Sequence, residues 1–184
     1  AATGNYTATV TVNGCTSAPS TILSATVNSI PVAPTITSNS PICEGATLTF
    51  NTANVTGGTF SWTGVNSFTS SIQSPAIANA TTAATGNYTA TVTVNGCTSA
   101  PSTILSATIN SIPSAPTITS NSPVCEGATL TFNTANVTGG TFSWTGVNGF
   151  NSSIQNPTIV TATTAATGNY TATVTVNGCT SAPS

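Results

Sequence analysis

The sequence predicts an all-β chain of antiparallel β-sandwich domains arranged end to end. Three observations predict it. The chain repeats itself every 82 residues, as Tyr6, Tyr88 and Tyr170, Cys15, Cys97 and Cys179, and Cys43 and Cys125 all record. A unit of that length is too long for a solenoid repeat and suits one small sandwich. Each copy holds short runs in which apolar and polar residues alternate between Gly, Pro and Asn, the pattern of half-buried strands. Hydrophobic residues make up 38% of the chain and charged ones 1%, so a core is available and hydroxyls and amides must supply the polar surface. Threonine suits that role, because its branched Cβ fits a pleated sheet.

The copies are nearly identical. Residues 117–184 differ from 35–102 at Ile42/Val124, Ser67/Gly149, Thr69/Asn151, Ser74/Asn156, Ala76/Thr158, Ala78/Val160 and Asn79/Thr161. Residues 1–30 match 83–112 except at Val27/Ile109. The paired prolines of Ile30-Pro31-Val32-Ala33-Pro34 and Ile112-Pro113-Ser114-Ala115-Pro116 read as linkers, since they stiffen the chain and end strands. Residues 1–33 are then the C-terminal strands of a truncated repeat plus linker, 34–115 a complete repeat, and 116–184 a repeat lacking its last strand. This phase is the one expected of a segment from a longer array.

Within 34–115 the strands are expected at Pro34–Ser38, Ala46–Asn51, Thr59–Thr63, Phe68–Ser71 with Ile72–Ile77, Gly86–Val94 and Thr103–Asn110. Alternation is clearest in Tyr88-Thr89-Ala90-Thr91-Val92-Thr93-Val94, where Tyr88, Ala90, Val92 and Val94 face inward. Leu48 with Phe50, and Phe60 with Trp62, give two more buried stripes. Asn95-Gly96 is the signal of a two-residue hairpin, because both residues tolerate the positive φ of a type I′ turn.

Composition excludes most chemistry. Glu44 and Glu126 are the only charged side chains, and the chain has no Lys, Arg, His, Asp or Met. Nucleophilic triads and Schiff-base lysines are therefore impossible. The two glutamates occupy equivalent places in two repeats, so they are not expected to converge on one bond. No cofactor or metal site and no catalytic residue is expected. Phosphate backbones would find no basic partner, and no apolar run approaches a membrane span. The reading is of a non-enzyme that binds no nucleic acid and inserts in no membrane. Trp62 and Trp144 sit on alternating strands and read as core residues before sugar platforms. Asn5, Asn54, Asn79, Asn87, Asn136, Asn151 and Asn169 form N-X-S/T sequons, which chance also produces in a chain this rich in Asn and Thr.

Trp62 on the third strand and Thr85-Gly86-Asn87-Tyr88 at the start of a late strand resemble the core tryptophan and tyrosine corner of immunoglobulin-like domains. Pro41-Ile42-Cys43-Glu44-Gly45, Trp62-Thr63-Gly64-Val65-Asn66-Ser67-Phe68 and Asn95-Gly96-Cys97-Thr98 resemble the Ig-like and PKD-like repeats of very large cell-surface adhesins of Bacteroidetes, exported by the type IX system. Trp144, Gly146, Asn148, Gly149 and Phe150 repeat the pattern. The resemblance implies a tandem Ig-like fold, an extracellular location and a part in gliding or attachment. Ala90 stands where an immunoglobulin domain has its second cysteine. PKD-like domains are usually richer in Asp, so calcium binding does not carry over.

Cysteines without metal partners favour disulfides, with Cys15, Cys43, Cys97, Cys125 and Cys179 as candidates. Pairing within a repeat would give Cys43–Cys97 and Cys125–Cys179. The strand from Tyr88 to Cys97 spans about 30 Å, whereas bridged Cα atoms lie within about 7 Å. This favours Cys43–Cys179, a staple between neighbouring repeats. Cys97–Cys125 with Cys15–Cys43 also fits the period. The functional expectation is a structural repeat of an extracellular stalk or filament, whose partners are further copies of the repeat. Lateral self-association or a glycan are the other partners considered. The competing readings are a fibre subunit joined by strand addition and a carbohydrate-binding module using Asn54–Gly58 and Val65–Phe68.

Overall fold

The computed structural model describes residues 3–184, and its elements are β-strands and short 3-10 turns. The chain forms two compact units. One comprises Ala1–Thr37, Phe50–Pro75 and Asn87–Leu105, and the other Ser38–Thr49, Ala76–Gly86 and Ser106–Ser184. The first two residues of the predicted 1–33 segment lie outside those described.

The second unit contains a β-sandwich. One sheet orders Ile118–Ser120, Leu130–Thr134 and Thr158–Ile159; the other orders Asn151–Ser152, Thr141–Thr145, Thr171–Val176 and Cys179–Thr180. All these pairings are antiparallel. Leu130 and Phe132 from the first sheet pack with Phe142, Trp144, Ala172 and Val174 from the second. Register puts large beside small: Trp144 lies opposite Ala172, and Phe142 opposite Val174. Burying such aromatic and aliphatic pairs is the main favourable term in a small sandwich.

The first unit repeats this sheet, with Thr59–Thr63 between Thr69–Ser70 and Gly86–Val94, and Cys97–Thr98 beyond. Trp62 faces Ala90 and Phe60 faces Val92. Phe50 packs on Trp62, Phe68 and Tyr88, with ring centroids 5.5, 5.7 and 4.6 Å away. The small Ala90 leaves room for the indole opposite it.

Both Thr59–Thr63 and Gly86–Val94 match the predicted bounds. Asn95 and Gly96 have φ of 49° and 79°, as a type I′ turn requires. The strand expected over Thr103–Asn110 is broken into Leu105–Ala107 and Ile109–Asn110. Thr108 leaves the ladder because its N–H donates to Ser40 Oγ at 2.6 Å. The expected Phe68–Ser71 and Ile72–Ile77 shrink to Thr69–Ser70 and Ala76–Ile77. Between them, Ser70 Oγ accepts from the Ile72 N–H at 3.2 Å and curls the chain. Val94, predicted inward, is only half-buried.

Serines continue the sheet where prolines interrupt it. After each hairpin the return strand meets Ala-Pro, which cannot form a regular ladder. Ser99 and Ser102 donate their N–H groups to the Val92 and Ala90 carbonyls at 2.9 and 2.8 Å. Their hydroxyls accept from the N–H groups of the same two residues at 3.1 Å each. Ser181 and Ser184 do the same for Val174 and Ala172. On the outer face, Thr93–Thr98 and Thr175–Thr180 hydroxyls meet at 2.8 Å, cross-strand pairs that replace the missing charges.

Candidate functional site

The feature with most consequence lies where Cys43, Asn110 and Cys179 meet. Ile42–Cys43 and Ile109–Asn110 form a parallel two-stranded ladder. It is fastened by the Ile42 N–H to the Thr108 carbonyl at 3.2 Å and the Glu44 N–H to the Asn110 carbonyl at 2.8 Å. Ile109 is wrapped by Thr85, which accepts its N–H at 2.9 Å and donates to its carbonyl at 3.3 Å. Asn110 then reaches the Asn177-Gly178 turn, and its Nδ2 donates to the Asn177 carbonyl at 3.1 Å. Cys179, which follows that turn, forms a disulfide with Cys43, with Cα atoms 5.6 Å apart and a sequence separation of 136.

This disulfide joins repeat 34–115 to repeat 116–184. Cys15, Cys97 and Cys125 are free thiols. The other pairings considered, Cys43–Cys97 with Cys125–Cys179 and Cys97–Cys125 with Cys15–Cys43, are therefore not the ones formed. The hairpin turn brings Cys179 to Asn110, which is itself paired with Cys43. Three elements thus converge on one bond.

Glu44 is half-buried beside this connector and Glu126 is exposed. No group of three or more His, Cys, Asp or Glu gathers among the described residues. Trp62 and Trp144 are fully buried, so neither offers a face to a sugar. Phe68, in one of the proposed sugar-binding loops, packs edge-on against Tyr88 with centroids 5.6 Å apart. Tyr170 forms the corner: its hydroxyl donates to the Ala166 carbonyl at 2.8 Å. Burial pushes the phenols of Tyr88 and Tyr170 above their ordinary value, because the phenolate would lose solvation.

An open cleft of about 370 Å³ lies in repeat 116–184, lined by Ser122, Val124, Cys125, Leu130, Thr167 and Tyr170 among others. Ser40, Ile42, Cys43 and Thr85 stand at the matching positions of repeat 34–115. There Ser40 bonds Thr108, and Ile42 and Thr85 hold the strand Ile109–Asn110 that follows it. The cleft thus lies at the positions that in repeat 34–115 flank Ile109–Asn110. Sequence reading missed the Ile42–Cys43 ladder, because two residues next to a proline give no alternation.

No protein-family model and no curated protein sequence matches the chain. Among solved structures it is similar to a chain of the complex between the mouse coronavirus receptor-binding domain and its murine receptor. That match has TM-score 0.52 and 14% identity over 82% of this chain and 96% of the other. It is also similar to murine CEACAM1b, with TM-score 0.47 and 15% identity over 82% and 96%. A further match is to the FN1–FN3 domains of chicken CNTN1, with TM-score 0.40 and 12% identity over 98% and 74%. With the sandwich and tyrosine corner above, the first of these shows that the fold is an immunoglobulin-like β-sandwich.

Proposed function

We propose that the chain is a structural repeat segment of an extracellular stalk or filament, of the kind that carries a large bacterial surface adhesin. The observation behind this reading is the Cys43–Cys179 bond, which ties one copy of the repeat to the next across 136 residues. Tension applied along the chain would pass through this bond and bypass the residues it encloses. In the chain-entropy view, closing so long a loop stabilises the fold by about 5 kcal/mol. Disulfides persist in oxidising surroundings, which supports a location outside the cytoplasm. The lack of Lys and Arg removes every trypsin site, a useful property for an exposed fibre.

The test is the size and place of the native polypeptide. Antibody to this chain should label intact cells and detect, under reducing and denaturing conditions, a polypeptide many times 18.0 kDa. Detection only inside lysed cells as an 18.0 kDa species would defeat the reading.

A further inference from the structure

Apart from the disulfide connector, the outer face of the sheet built on Thr59–Thr63 and Gly86–Val94 recurs in both repeats with one chemistry. Register sets Thr59, Ser61 and Thr63 opposite Thr93, Thr91 and Thr89. In repeat 116–184, Thr141, Ser143 and Thr145 stand opposite Thr175, Thr173 and Thr171. The interleaved Phe60, Trp62, Ala90 and Val92 are buried. Every outward side chain of the paired stretch therefore ends in a hydroxyl. The face carries no charge, because Glu44 and Glu126 lie outside these strands.

These hydroxyls are held in place. The Thr63 and Thr89 Oγ1 atoms lie 3.0 Å apart, and so do those of Thr145 and Thr171. The Thr93–Thr98 and Thr175–Thr180 pairs hold the other end of each face. Threonine is stiff at χ1, and one bond per pair leaves each oxygen with bonding capacity to spare. Strand geometry then spaces the array. Neighbouring strands lie about 4.7–4.9 Å apart, and alternate residues along one strand about 6.6–6.8 Å apart. Those intervals approach the rectangular repeat of oxygen atoms on a prism face of hexagonal ice. Sheet twist confines the match to the two central strands and the residues beside them.

We propose that this face binds ice. The hydroxyls take the places of lattice oxygens, and the threonine methyls fill the space between them. Ice is an uncharged solid, so an uncharged face suits it, whereas a lysine or glutamate would hold its own hydration shell against the lattice. The other occupants fit less well. A second copy of the chain would need aromatic or aliphatic anchors at the centre of the contact. A soluble sugar would need a concave site. The outward residues of these strands supply neither. The proposal goes beyond the stalk reading and does not depend on it.

The test is the partition of the full chain between water and slowly grown ice. The chain should be enriched several-fold in the ice over a charged globular protein of similar size, which the growing lattice excludes. Ser61→Lys with Ser143→Lys puts a cation at the centre of each face, at exposed positions, and should abolish the enrichment with the unfolding temperature little changed. Ser61→Thr with Ser143→Thr adds the missing methyls and should raise the enrichment, a readout that stands even where the lysine pair disturbs the fold. Thr37→Lys with Thr119→Lys, exposed on the opposite sheets, should leave it unchanged. Exclusion of the wild-type chain from ice would overturn the proposal, as would a lysine pair at 61 and 143 that partitions like wild type. If that pair instead abolished self-association or binding to a crystalline polysaccharide while ice partition stayed the same, the face would belong to a second copy or a glycan, and the proposal would fall. None of these results bears on the stalk reading, which rests on Cys43–Cys179 and on the native polypeptide's size.

Discussion

The ring of Tyr170 lies against the α-carbon of Gly146, so a Cβ on that glycine would fall inside the ring's Cδ1 and Cε1. Gly146 has φ −169°, which any residue adopts, so only space demands glycine here. The ring cannot yield easily. Its hydroxyl is tied to Ala166, and its face packs on Phe132 and Phe150 with centroids 4.5 and 5.3 Å away. Gly146→Ala should therefore destabilise its sandwich by about 1–3 kcal/mol, as overpacking does. Urea unfolding of the variant checks this, and Gly64→Ala should act alike through Tyr88. A midpoint equal to wild type would mean that the ring moves freely.

Ser181 should prove more costly to lose than its exposed neighbours. Its hydroxyl accepts from the Val174 N–H, which is buried in the sandwich. Ser181→Ala leaves that donor without its partner, at about 1–3 kcal/mol. Thermal unfolding should show a clear drop for Ser181→Ala and little change for Ser153→Ala on the exposed surface.

Stability should be flat near neutral pH, because the chain has no histidine. The alkaline limb has a definite sign. Tyr88 and Tyr170 have folded pKa values raised above 10.0 by burial. The folded state therefore holds its phenolic protons longer than the unfolded state. Their contribution is fully present below pH 10 and is lost as pH climbs through the raised values. Unfolding temperatures should agree at pH 6 and pH 8 and fall above pH 10. A marked shift between pH 6 and pH 8 would contradict this.

Much of the fold was legible in the sequence because it rests on strong local signals. The alternation from Tyr88 to Val94 gave a strand, and the Asn95-Gly96 turn gave its hairpin. Trp62 and Trp144 were placed in the core by their position on alternating strands. The ladder at Ile42–Cys43 was not legible, since its partner Ile109–Asn110 lies far along the chain and neither piece is long enough to show a period. The bracing serines were also missed. Ser99 and Ser102 look like loop residues beside Pro101, and only the backbone geometry reveals that their hydroxyls take the place of ladder carbonyls. For the connector, the period left three pairings open, and spatial convergence at Asn110 separates them.

In the proposed stalk, Cys43–Cys179 carries tension from one repeat to the next. Single-molecule stretching between the chain's ends tests it most directly. With the bond intact, the 136 residues it spans are shielded and only the flanking segments extend. Reduction should release them and add about 450–490 Å of contour length, at ~3.3–3.6 Å per residue. Equal contour lengths with and without reductant would show that the bond does not carry the load.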